Sequence, residues 1–121
     1  MRFFLPLALA LAFALPGAAL AQDQAQAPPG DAAKGKTTYM ADGCFECHGT
    51  VGQGSVATGG PKVSRTALPF DAFVQQLRQP SNEMPPYEAG VVSDADAANI
   101  YAFLHSVPAP KKASEIPLLN Q

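Results

Sequence analysis

Apolar positions recur at helical spacing in two segments of the second half of the chain. Between residues 69 and 79 they are Phe70, Phe73, Val74 and Leu77. From residue 93 onward they are Ala97, Ile100, Phe103, Leu104 and Val107. Spacings of three, four and seven place such side chains on one face of an α-helix. We therefore predict an amphipathic helix in each segment.

Residues with capping chemistry indicate where these two helices begin and end. Pro69 suits the first helical position of one helix, and Pro80 closes it after residue 79. Ser93 begins the other helix, with Asp96 three residues later in a capping-box arrangement. This second helix is expected to continue to about Ser106.

An earlier helix is predicted directly before the cysteine-containing segment. The Asp31 side chain can accept from the amides of residues 33 and 34, and Asp42-Gly43 stops the helix after about Ala41. The glycine-rich segment 49–60 that follows is predicted to be a loop. No stretch alternates apolar and polar residues over a useful length, so the expected fold class is all-α.

The N-terminal 21 residues have the layout of a secretory signal peptide. Arg2 is followed by an apolar run to Leu15, a Pro16-Gly17 break and a small-residue cleavage site ending at Ala21. The alternative is a membrane anchor, but the run is shorter than the roughly 20 residues that a spanning helix needs. We expect export to the periplasm, cleavage after Ala21 and no further membrane span.

The rest of the chain divides into a flexible spacer at 22–30, one small domain at 31–107 and an extended tail at 108–121. With 12 prolines and 10 glycines in the sequence, such a domain has a thin core. After cleavage, seven basic residues stand against ten acidic ones, a net charge of about −3. This balance makes nucleic acid an unsuitable partner.

The candidate chemistry lies in the pentad Cys44-Phe45-Glu46-Cys47-His48, which contains both cysteines of the sequence. Cys-x-x-Cys-His is the attachment signature of a c-type haem. The two thiols bond to the haem vinyl groups, and His48 is the candidate proximal iron ligand. We predict one covalent haem c, which also supplies apolar mass to the thin core.

A sixth iron ligand has two candidates. Met84 follows His48 by 36 residues, far enough for the chain to wrap round a haem, and Pro85 and Pro86 restrict its loop. A thioether sulfur opposite histidine is typical of electron-transfer haems. His105 is the rival, although a histidine near a helix end is commonly a surface residue. Met40, four residues before the pentad, is too close to reach the other face.

Two further residues are candidate contacts around this site. The ring nitrogen of His48 that does not bind iron needs an acceptor, and the Pro61 carbonyl or a neighbouring one is the candidate. Tyr87 is a candidate haem contact, with an ordinary core position as the alternative.

Taken together, these segments resemble the class I cytochromes c of the bacterial, periplasmic kind. The matching segments are 35–39, 44–49, Gly60-Pro61, 84–87 and 99–104, which together span residues 31–107. The resemblance implies a small cytochrome c fold, with three main helices wrapped around one covalently bound haem. It also implies a tight crossing of the terminal helices, in which Gly35 and Tyr39 meet Ile100, Phe103 and Leu104.

The function predicted from these residues is one-electron transfer to periplasmic redox partners, without catalysis. The few lysines leave the partner's identity open. One alternative is a haem sensor or peroxidase-like protein with a labile sixth ligand. Another is the cytochrome subunit of a periplasmic dehydrogenase. A third is a haem-free protein in which Cys44, Cys47 and His48 bind zinc or the thiols cycle as a dithiol.

Overall fold

The computed structural model describes residues 27–120, which form helices and turns and contain no β-strand. The α-helices of this range are α1 Ala32–Ala41, α2 Cys44–His48, α3 Phe70–Arg78 and α4 Asp94–Ser106. The all-α prediction is confirmed, with α1, α3 and α4 as its main helices. The predicted signal peptide, and the spacer as far as residue 26, lie outside the described residues.

Helix α1 begins and ends where its sequence signals lie. The Asp31 carboxylate accepts from the amides of Ala33 at 2.9 Å and Lys34 at 3.1 Å. These contacts satisfy two of the amides that a helix start leaves unpaired. Gly43 has a φ of 75°, a left-handed conformation that glycine adopts at little cost. The chain can therefore turn sharply from α1 into α2.

Helix α3 begins one residue later and ends one residue earlier than predicted. Pro69 occupies the cap position, and its carbonyl accepts from the Phe73 amide at 2.9 Å. Phe70, Phe73 and Leu77 are buried, as the spacing predicted.

Helix α4 has the predicted capping box. The Asp96 amide donates to Ser93 Oγ at 3.1 Å, and the Ser93 amide donates to Asp96 Oδ2 at 3.3 Å. The helix ends at Ser106, also as predicted.

The crossing of α1 and α4 forms the centre of the core. A Cβ at Gly35 would overlap with the Asn99 carbonyl, so the two backbones touch where α1 lacks a side chain. The rings of Tyr39 and Phe103 pack with centroids 5.3 Å apart. Ile100 and Leu104 are buried beside them. The tight crossing implied by the resemblance is present, with Gly35 against the backbone of Asn99 and Ile100 and with Tyr39 against Phe103.

The C-terminal tail differs from the extended chain that was expected. It contains 3-10 turns at Ala113–Glu115 and Pro117–Leu119. The Asn120 side chain donates to the carbonyls of Ala113 at 3.0 Å and Ile116 at 2.9 Å, which holds the turns together. Within residues 27–120, no helix has the length and hydropathy needed to span a bilayer.

Candidate haem-binding site

The cysteine pentad is itself the short helix α2. Its position directly after the Gly43 turn sets Cys44 half-buried and Cys47 exposed, and neither is in a disulfide. In a helix, residues three apart lie on the same face. The two free thiols therefore lie on one face of α2, with the spacing that bonds to a single bridging group require.

The imidazole of His48 is held by the loop that follows it. Its Nδ1 lies 2.8 Å from the carbonyl oxygen of Pro61. Because a carbonyl can only accept, Nδ1 carries the proton, and in the neutral imidazole Nε2 then presents its lone pair. The Gly54 amide also donates to the His48 carbonyl at 2.8 Å. The ring is thus oriented with one nitrogen suited to binding a metal.

Two residues to which the sequence analysis gave no role of their own, Gly60 and Thr58, bring this loop against α2. A Cβ at Gly60 would overlap with the Cys47 carbonyl, so only glycine permits the approach that is seen. Thr58 Oγ1 donates to the same carbonyl at 3.1 Å. The Gly-Gly-Pro run at 59–61 was a usable signal for Gly60, whereas no local pattern marks Thr58.

Met84 is half-buried in the loop between α3 and α4 and packs against the hydrophobic core. Its sulfur lies 3.8 Å from Nε2 of Gln76, which can donate to it. The sequence reasoning did not identify Gln76. The only signal for Gln76 in the sequence is its position beside the apolar residues of α3.

Tyr87 ties the Met84 loop to the pentad. Its hydroxyl donates to the Asp42 carbonyl at 3.0 Å, two residues before Cys44. Its amide donates to the Leu77 carbonyl at 2.8 Å, and its own carbonyl accepts from Arg78 Nη1 at 2.8 Å. Tyr87 therefore ties the loop that carries Met84 to the turn before the cysteine-containing segment. Arg78 is a further contributor that the sequence did not reveal.

Burial controls the ionisation of the groups around Cys44. It raises the pKa of Tyr87 to about 12, with the charge of Cys44 as the next cause. It also raises the pKa of the Cys44 thiol, against a smaller opposite effect of the Tyr87 hydroxyl. Burial likewise raises the pKa of the Asp42 carboxyl. A reactive dithiol needs a thiol with a lowered pKa, and burial acts in the opposite direction at Cys44.

The other candidate ligands have different surroundings. His105 is exposed and packs on Tyr101, with ring centroids 4.4 Å apart. Met40 lies on α1, partly buried against the core. Within residues 27–120, no three His, Cys, Asp or Glu side chains are grouped so as to hold a metal ion.

A small helical domain with a Cys-x-x-Cys-His helix, an oriented histidine and a Met-Pro loop is a c-type cytochrome domain of class I. The chain belongs to the family described as cytochrome C oxidase, cbb3-type, subunit III, which matches residues 30–104. Domains of this class carry haem and transfer electrons.

A comparison with curated proteins found a thiosulfate dehydrogenase of Stutzerimonas stutzeri (strain A1501). It is 34% identical over 89 residues, which cover 67% of this chain and 29% of that protein. The chain thus spans less than a third of the length of this relative. No solved structure matches the chain.

Proposed function

We propose that this chain is a one-electron carrier with a single haem c, attached through Cys44 and Cys47 and ligated by His48 and Met84. The observation that carries the proposal is the 2.8 Å contact between His48 Nδ1 and the Pro61 carbonyl. Such a bond fixes the tautomer and ring orientation of a metal-binding histidine and makes it more basic.

The donor set of the site fits a haem. Two unpaired thiols three residues apart suit two thioether bonds to one haem edge. The half-buried Met84 thioether is a soft donor, and such a ligand stabilises the ferrous state and raises the potential. When bound, the haem supplies the Fe(III)/Fe(II) couple. If His48 and Met84 both held the iron, no coordination position would be left for a substrate, as a carrier requires.

The cellular setting follows from the leader sequence. We propose that the chain is exported and cleaved after Ala21, and that it acts in the periplasm with protein redox partners. Tyr87 is proposed to contact the haem, because its hydroxyl lies between the Met84 loop and the pentad.

Replacing Met84 by leucine tests the proposed ligation. The matched control is Met40→Leu, since such a swap in a core costs less than about 1.5 kcal/mol. We expect the Met84 variant alone to lose the red charge-transfer band of the ferric protein and to show a lower midpoint potential. An unchanged spectrum and potential, or rapid carbon monoxide binding by the reduced native protein, would favour the labile-ligand alternative.

A second candidate is the electron-transfer module of a dehydrogenase. The match to part of a thiosulfate dehydrogenase supports it. To distinguish a dehydrogenase subunit from a free carrier, the purified oxidised protein is mixed with thiosulfate, alone and with proteins captured from periplasm. Reduction of the haem is measured in each case. Reduction that requires a captured dehydrogenase would indicate a subunit, whereas equal reduction by several unrelated donors would indicate a free carrier.

A further inference from the structure

We propose that Gln76 is a positioning residue for the Met84 sulfur, which it holds through an N–H···S hydrogen bond. The inference rests on the proposed ligation of iron by Met84. It assigns to α3 a part in setting the redox properties of the site.

The glutamines within α3 and directly after it have different surroundings. Gln75 and the following Gln79 are exposed and bond to each other at 3.0 Å. Gln76 is half-buried, and its Nε2 lies 3.8 Å from the Met84 sulfur. Ser81 Oγ lies 3.4 Å from the same nitrogen and 3.5 Å from Gln76 Oε1. Ser81, at the start of the loop that carries Met84, therefore contacts the side-chain amide of Gln76.

The amide can act on the sulfur without competing with a metal. A thioether sulfur has two lone pairs, so a hydrogen bond to one leaves the other free to bind iron. The bond withdraws electron density from the sulfur, and the positive end of the N–H dipole faces the site. Both effects disfavour the more positive ferric state, so removing the amide should lower the midpoint potential.

The same hydrogen bond restrains the loop. A neutral hydrogen bond contributes about 0.5–1.5 kcal/mol, which corresponds to a factor of about two to ten in an equilibrium constant. Added imidazole should therefore displace the sulfur from ferric iron about two- to tenfold more readily once the amide is removed.

The experiment compares haem-loaded full-length wild type, Gln76→Leu, Gln75→Leu and Met84→Leu. Gln75→Leu is the matched control, because its side chain bonds only at the surface of the same helix. The readouts are the midpoint potential and the imidazole concentration that half-displaces the red charge-transfer band.

We expect Gln76→Leu to show a lower potential and a two- to tenfold lower half-displacing imidazole concentration, with Gln75→Leu like wild type. If Met84→Leu abolishes the band while Gln76→Leu matches Gln75→Leu in both readouts, the Gln76 role is wrong and the ligation stands. If Met84→Leu leaves the band unchanged, the proposed ligation itself fails, and the Gln76 role fails with it.

Discussion

The hydroxyl of Tyr87 joins two segments that lie 45 residues apart in the sequence. Its pKa of about 12 keeps it protonated at neutral pH, so it remains a donor to the Asp42 carbonyl. One hydroxyl therefore links the loop that carries Met84 to the turn that leads into the pentad.

Tyr87→Phe is expected to destabilise the domain by about 1 kcal/mol and to make the sulfur easier to displace, because the loop loses an anchor. Tyr101→Phe is the matched control, since its hydroxyl donates to the Leu68 carbonyl at 2.8 Å. Urea unfolding and imidazole titration measure the two effects. Equal displacement curves for both variants would contradict this role of Tyr87.

At Gly60 there is no space for a side chain beside the Cys47 carbonyl. Gly60→Ala is expected to cost about 1–3 kcal/mol, as overpacking does, and to displace Pro61 from His48. A histidine without its acceptor is less basic, so the midpoint potential should rise. Gly90→Ala is the control, because nothing lies within 4 Å of a Cβ built there. If Gly60→Ala and Gly90→Ala had the same stability and the same midpoint potential, the close approach at Gly60 would have no special role.

At the scale of elements, the crossing of α1 and α4 depends on backbone contact at Gly35. Gly35→Ala should destabilise the protein by about 1–3 kcal/mol, although alanine is the better helix former by about 1 kcal/mol. Lys36→Ala, on the exposed face of the same helix, should have little effect. Chemical denaturation measures the unfolding free energy of both variants. If Gly35→Ala were as stable as wild type, α1 and α4 could move apart without cost, which would contradict this role of Gly35.

Arg78 connects α3, the Met84 loop and α4. Its two terminal nitrogens donate to the Tyr87 carbonyl at 2.8 Å and to Asp94 Oδ1 at 2.6 Å. Arg78→Gln should cost about 1.5–3 kcal/mol, because a half-buried carbonyl loses a charged donor. Asp94→Ala should cost less than about 1 kcal/mol, since its carboxylate is largely exposed. If Arg78→Gln and Asp94→Ala lost equal unfolding free energy, the stabilisation would come from the Arg78–Asp94 ion pair and not from the bond to the Tyr87 carbonyl.

The starts of α1 and α4 could be predicted because their signals are local. Asp31 and Ser93 cap amides two or three residues away, and the apolar spacing of α3 and α4 selects their buried faces. The boundary at Pro69 was off by one residue, because proline suits both the cap and the first helical position. The tail turns were missed since they are held by bonds of the Glu115 and Asn120 side chains to the backbone, which no apolar spacing marks.

The candidate site was predictable only where a motif carries it. The motif marks the pentad, and the contact of His48 with the Pro61 carbonyl follows from hydrogen-bonding need. Ligation by Met84 stays a prediction from spacing. The contacts of Gln76 with Met84 and of Arg78 with Tyr87 join side chains and backbone across a loop. No periodicity encodes such pairs, because their geometry is set by how α3 packs against the rest.

As a whole molecule, the domain has a modest core for its size. Within residues 27–120 the buried apolar side chains come from α1, α3, α4 and Val92, whereas α2 contributes none. A domain this small gains little stability from burial alone. The proposed covalent haem would add apolar mass and restrict the unfolded chain, much as a cross-link does.

Tandem mass spectrometry of the pentad peptide, taken from protein matured in a host that attaches haem, tests the central claim most directly. The account predicts that the peptide carrying residues 44–48 has gained the mass of one haem, with both thiols consumed. A colourless protein whose two cysteines are both free to react with an alkylating reagent would contradict it.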